Sequence, residues 1–151
     1  ATQGKGARIG DILSAELRPY DAARISLEGP EILLSPKLAL TMALLLHELA
    51  TNAAKYGALS RSSGKISVRW SYSDPWMNLE WHESDGPPVS VPNHRGFGTR
   101  LFLRALDQFG GNVDADFSST GLVCKLRVPL SDLTPSIVPA APGASGQFAA
   151  D

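Results

Sequence analysis

With 151 residues, 43% of them hydrophobic, 19% charged and a net charge of −1, the chain has the dimensions of one globular domain that can bury a continuous core and still carry a cleft. That near-neutral balance lacks the basic surplus of a nucleic-acid binder, and no apolar run approaches the roughly 20 residues of a membrane helix, so neither nucleic acid nor membrane is an expected partner. One cysteine, Cys124, excludes an intrachain disulfide and points to a reducing, cytoplasmic setting, while a first residue of Ala1 without a signal peptide suggests a fragment or processed chain.

Residues 1–20 are weakly patterned. Ile12, Leu13 and Leu17 predict a short helix, or a lead-in over about 1–16, that Pro19 stops. Arg24 to Leu27 and Glu31 to Leu34 read as a pair of short strands around the turn residues Gly29 and Pro30. Ser35 is a suitable helix cap, Pro36 suits the first helical position, and nothing breaks a helix from Lys37 to Tyr56, where Gly57 can end it. Leu38, Met42, Leu45, Leu49 and Ala53 recur at spacings of three and four and form its core-facing stripe. Between Leu38 and Leu46 the helix is apolar well beyond that stripe, which predicts burial of this half against a sheet.

Lys65 to Tyr72 and Trp76 to His82 alternate apolar and polar residues around Ser73-Asp74-Pro75, the pattern of an antiparallel hairpin. Glu83 to Gly96 reads as a loop, and Phe97 to Phe109 as a second helix that Gly110 and Gly111 stop. Leu122 to Val128 alternates again. From residue 131 to 151, Pro, Ala, Gly and Ser predict a disordered tail, which leaves 1–130 as the domain. This order of strands and helices predicts a two-layer α/β sandwich whose mixed, mostly antiparallel sheet is covered by helices on one face.

Three stretches carry chemistry. At about 100° per residue, Glu48, Asn52 and Lys55 share a narrow sector of the long helix. A carboxamide oxygen is a hard ligand suited to Mg²⁺, an ammonium neutralises phosphate, and a carboxylate can polarise the group that receives a phosphoryl. Alone, such a row is also an ordinary solvated face with ladder pairs worth a few tenths of a kcal/mol each. Arg95-Gly96-Phe97-Gly98-Thr99-Arg100-Leu101 places two glycines before a helix, where free N–H groups and the positive dipole end attract anions. It lacks the Gly-Lys-Ser/Thr ending of a P-loop, and alone it reads more readily as a plain glycine loop. Trp81-His82-Glu83-Ser84-Asp85-Gly86 ends a strand in acids before a glycine turn, where a carboxylate can accept the exocyclic amine of adenine or do only turn work.

The combination and its order resemble the N, G1 and G2 boxes of the GHKL ATPases, whose Bergerat fold is shared by histidine kinases, type II topoisomerases, MutL and related chaperones. Within that superfamily HELATNAAKYGALS, Trp81-x-Glu83 and RGFGTRL are most similar to the HWE histidine kinases of bacterial two-component signalling, with His47 in the N box. The likeness runs from about Leu17 to Pro129. It implies an ATP-binding domain with Glu48 as the acid assisting phosphoryl transfer and Asn52 as the Mg²⁺ ligand. His47, Lys55 and Tyr56 would flank the nucleotide. Arg95, Gly96, Phe97, Gly98, Thr99 and Leu101 would line the phosphates, and Gly121 would be the late glycine of such domains. Glu83 matches Trp-x-Glu while Asp85 directly precedes Gly86, so either acid, with Gly86, can meet adenine. Pro88 replaces the usual last glycine, and only seven residues lie between Pro88 and Gly96, which implies a short lid.

None of the three histidines, His47, His82 and His94, lies in the His-Arg-x-Lys-Asn context of a phosphoacceptor. The resemblance therefore implies a monomeric fragment that phosphorylates a histidine on its own dimerisation domain, with a response regulator downstream, and that does not phosphorylate itself. A GHKL ATPase, an anti-sigma-like serine kinase and a docking module without catalysis share the fold and are the other classes to separate.

Overall fold

The computed structural model describes residues 6–87, 100–118 and 120–130. Along the chain the elements are strand β1 (Ala7–Arg8), helix α1 (Ile9–Leu17), β2 (Ile25–Glu28), β3 (Leu33–Leu34) and helix α2 (Pro36–Lys55). They continue with β4 (Lys65–Ser73), β5 (Trp76–Ser84), the short helix α3 (Arg100–Leu103), β6 (Asn112–Ser118) and β7 (Gly121–Pro129).

Five strands form one sheet in the order β2-β4-β5-β7-β6, with β2 parallel to β4 and every other neighbour antiparallel. Alternation along the strands divides its faces. Ile66, Val68 and Trp70 of β4, Met77, Leu79 and Trp81 of β5, and Leu122, Cys124, Leu126 and Val128 of β7 are buried on one side. Against them pack Met42, Leu45, Leu46 and Leu49 of α2 and Ile9, Leu13 and Leu17 of α1 in one core. The opposite side carries Arg69, Glu80, His82 and Lys125, where the His82 hydrogen bond holds the Glu80 carboxyl below its ordinary range. This is the two-layer sandwich that the pattern predicts.

The expected helix start is realised: Ser35 Oγ accepts the Leu38 amide at 3.3 Å and Pro36 occupies the first turn. The hairpin pairs along its whole length, from Lys65 opposite Ser84 to Ser73 opposite Trp76. Arg127 of β7 stacks over the Trp76 ring, 3.6 Å from its centre.

Several expectations are corrected. Of the two readings of the first segment, the short helix is the one realised: Ile9, Ile12, Leu13 and Leu17 of α1 are buried, so residues 9–17 are not a lead-in. The two strands around Gly29 and Pro30 do not pair with each other: β2 joins β4, and β3 joins β1. Trp70 packs against this stretch: its ring lies where a side chain on Gly29 would stand, and its indole donates to the Pro30 carbonyl at 2.7 Å. The apolar half of α2 is not wholly covered, because Leu40 and Leu44 are each 63% exposed. They lie on the side of the helix turned from the sheet, where hydrophobicity alone did not distinguish inward from outward residues. Glu83 and Ser84 are the last residues of β5 rather than loop.

The segment from 97 to 109 is not one helix over its described part. After α3 it tightens into three-residue turns, with Asp107 N donating to the Arg104 carbonyl and Phe109 N to that of Leu106, both at 3.0 Å. Asp107 is a weak helix-interior residue, and its carboxylate takes the Arg104 guanidinium instead. Gly110, at φ 80°, supplies the left-handed stop that the sequence predicts. Strand β6 escapes sequence notice because it is an edge strand whose alternation is half polar.

Candidate functional site

The C-terminal turns of α2 carry the polar sector. Asn52 is buried at 6% exposure, Glu48 is half-buried and Lys55 is exposed, so the row crosses from core to surface. Asn52 Nδ2 donates to Glu48 Oε2 at 2.9 Å. That bond fixes the carboxamide with its nitrogen toward Glu48 and its oxygen, the atom a hard cation takes, at the other end. The helix ends by doubling its last bonds: the Asn52 carbonyl accepts the amides of Tyr56 at 2.8 Å and Gly57 at 3.1 Å. Among the described residues no group of three or more His, Cys, Asp or Glu gathers to hold a metal. Mg²⁺ bound chiefly through phosphate oxygens needs no such group.

His47 departs from this sector. Its Nδ1 lies 2.9 Å from Glu16 Oε1 of α1, so it braces the two helices on the exposed side instead of joining Glu48 and Asn52. The turn of the helix that separates residues 47 and 52 explains the divergence, since side chains five apart point in different directions.

Beside the end of α2 lies the end of β5. Glu83 is 6% exposed, and both its oxygens are engaged: Oε1 accepts the Ala58 amide at 3.0 Å and Oε2 the Trp81 indole at 2.9 Å. Burial raises the Glu83 carboxyl above its ordinary 4.5, partly offset by those two hydrogen bonds. Asp85 is exposed and adopts φ 58°, a left-handed conformation that aspartate tolerates, and its carbonyl accepts the Ser63 hydroxyl at 2.8 Å. Gly86 follows close to the same loop, where a Cβ would stand 2.6 Å from Ala58 Cα. Gly121, at φ 142°, opens β7 against the Glu83 carbonyl, where a side chain would collide with it. The structure thus gathers Asn52, Tyr56, Glu83, Gly86 and Gly121 around the junction of α2 with β5, with Lys55 and Asp85 at its rim.

Three comparisons bear on this arrangement. No family model matches the chain. It is 38% identical over 128 residues to blue-light-activated histidine kinase 1 of Erythrobacter litoralis, covering 81% of this chain and 36% of the relative. It is also 36% identical over 142 residues to the blue-light-activated histidine kinase of Brucella ovis, covering 89% of this chain and 28% of the relative. Over more than four-fifths of its length this chain is similar to named histidine kinases. It spans about a third of the length of the curated relatives that it matches.

Solved histidine kinase structures share the fold. The histidine kinase domain of the Erythrobacter litoralis EL346 protein superposes with a TM-score of 0.64 at 23% identity over 82% of this chain and 60% of that one. The ATP-binding domain of PrrB from Mycobacterium tuberculosis does so with a TM-score of 0.64 at 19% identity over 86% of this chain and 99% of that one. The HWE resemblance agrees with the named relatives. The mixed sheet under helices is the fold of histidine kinase catalytic domains.

Of the phosphate loop that the resemblance implies, Arg95, Gly96, Phe97, Gly98 and Thr99 lie outside the described residues, and Leu101 of α3 is 84% exposed. Sequence reasoning missed one structural anchor. The Arg24 guanidinium donates from Nε to the Gly64 carbonyl at 2.8 Å and from Nη2 to the carbonyls of Ala58, at 3.2 Å, and Arg61. No local pattern signals it, because the partners are 34 to 40 residues away along the chain. Among the described residues no helix is long and apolar enough to cross a membrane.

Proposed function

We propose that this chain binds ATP with Mg²⁺ and serves as the catalytic domain of a sensor histidine kinase, passing the γ-phosphate to a histidine on a dimerisation domain of its own protein. The observation that carries the reading is the Glu48–Asn52 hydrogen bond on a helix that ends at Lys55 with Tyr56 as its cap, beside an acidic turn that closes β5. An amide so oriented offers its oxygen to Mg²⁺, and the ion supplies charge neutralisation on the phosphates. The donor set fits that cation: one hard oxygen beside one carboxylate, with the remaining positions left to phosphate and water.

Glu48 is the proposed acid. It is half-buried and held by Asn52, so it can accept or orient a proton on the imidazole that attacks phosphorus. Lys55, exposed in the last turn, offsets phosphate charge at the surface end of the row. Tyr56 flanks the sugar side. The base meets the turn after β5, where Asp85 presents an exposed carboxylate. The loop from Arg95 to Thr99 is the proposed phosphate cradle, with Leu101 next to it and Gly121 at the back of the base site.

A response regulator is the proposed downstream acceptor, and the cytoplasm the proposed compartment. The chain by itself is proposed to be monomeric and unable to phosphorylate itself, with the domain ending near residue 130. The test is to incubate the chain with γ-labelled ATP, alone and with a phosphoacceptor domain supplied in trans. Label appearing on a histidine of the supplied domain alone supports the reading. Stable phosphohistidine on the chain itself, or label on a serine, contradicts it.

A further inference from the structure

Glu83 touches both halves of the site. It stands at the end of β5, yet its carboxylate reaches the Ala58 amide, just past the end of α2, and the Trp81 indole of its own strand. The path from Asn52 to Glu83 is continuous: Gly57 N donates to the Asn52 carbonyl, and the next amide, Ala58 N, donates to Glu83. Space at the junction is held open by residues without side chains. A Cβ on Gly57 would collide with Glu83 Oε1, one on Gly121 with the Glu83 carbonyl, and one on Gly86 would lie 2.6 Å from Ala58 Cα. From the other side Arg24 takes the carbonyls of Ala58, Arg61 and Gly64, so the 58–64 loop is gripped on both flanks.

We propose that Glu83 is a positioning residue, whose buried carboxylate clasps the Ala58 amide and the Trp81 indole and thereby holds the end of α2, with Asn52 and Lys55, in register with the Ser84–Gly86 turn. The proposal rests on the nucleotide reading above and adds a residue that acts through others. A buried carboxylate with an N–H donor on each oxygen is a short, charge-assisted strut. Its removal leaves two buried donors without their acceptor, which loosens the junction.

The experiment compares the wild-type chain with Glu83→Gln and Trp81→Phe. Two readouts are taken: amide hydrogen exchange at Gly57 and Ala58, and affinity in Mg²⁺ for ATP and for purine riboside triphosphate, which lacks the exocyclic amine. Glu83→Gln is expected to speed exchange at Ala58 and to weaken binding of the amine-free nucleotide by about tenfold, the loss of one charge-assisted bond. Trp81→Phe, which removes one donor and leaves the carboxylate untouched, is expected to weaken it less. Unchanged affinity of Glu83→Gln for the amine-free nucleotide overturns the proposal, whatever happens to ATP, because only a direct reader of the amine would spare it. No loss in Trp81→Phe also contradicts the clasp. If the wild-type chain bound neither nucleotide, the nucleotide reading would fail and the positioning role with it, while the Ala58 exchange rate would still report whether the clasp exists.

Discussion

The two ends of α2 are built differently. The first half enters through the Ser35 cap and Pro36, then buries Leu38, Met42 and Leu45. The last half buries Asn52 as well as Leu46, Leu49 and Ala53, satisfies the Asn52 amide with Glu48, and stops against a carboxylate from another element. The proposed chemistry and the core share this helix because the polar row Glu48, Asn52 and Lys55 runs beside the apolar stripe only over its last turns. The contrast predicts that substitutions at the first end alter folding and leave nucleotide chemistry alone, and that those at the second do the reverse.

The largest expected effect is at the second end. With a phosphoacceptor domain supplied, Glu48→Ala should lower the rate of phosphotransfer by about 10² to 10⁴, the usual worth of a general acid–base group, with the melting temperature little changed. A rate within a factor of two of wild type would remove Glu48 from the chemistry. At the first end, Met42→Ala should cost about 2–5 kcal/mol in denaturant unfolding, since Met42 has no exposed surface and the cavity cannot fill. The folded fraction should bind nucleotide normally, and a selective loss of affinity would erase the contrast.

Glu83, at the second end, gives a pH signature. Burial raises its carboxyl above 4.5, so protonation favours the folded state: this contribution is complete below 4.5 and lost as pH rises through the raised value. Wild type should therefore lose stability relative to Glu83→Gln as pH climbs from 4.5 through that window, measured by parallel urea titrations. A flat difference would contradict the burial argument. The smallest effect is at the cap, where Ser35→Ala should cost about 1 kcal/mol and leave nucleotide affinity untouched.

Much of this was legible in the sequence. Ser35, Pro36 and the spacing of Leu38, Met42, Leu45 and Leu49 marked α2 because cap, propensity and periodicity agreed. The β4–β5 hairpin was legible in its alternation. What periodicity does not encode is the partner. It could not say that Trp70 would pack against Gly29, that Arg24 would hold a loop far along the chain, or that His47 would turn to Glu16 of α1. The choice between Glu83 and Asp85 was open for the same reason, since the exposure that separates them arises from how β5 meets the end of α2.

The most direct measurement is calorimetric titration of the purified chain with ATP, with and without Mg²⁺, beside Asn52→Ala. The account predicts saturable binding that Mg²⁺ strengthens, with most of that Mg²⁺ dependence lost in Asn52→Ala. Binding that is indifferent to Mg²⁺, or unchanged in Asn52→Ala, would contradict the assignment of α2 as the nucleotide-bearing helix.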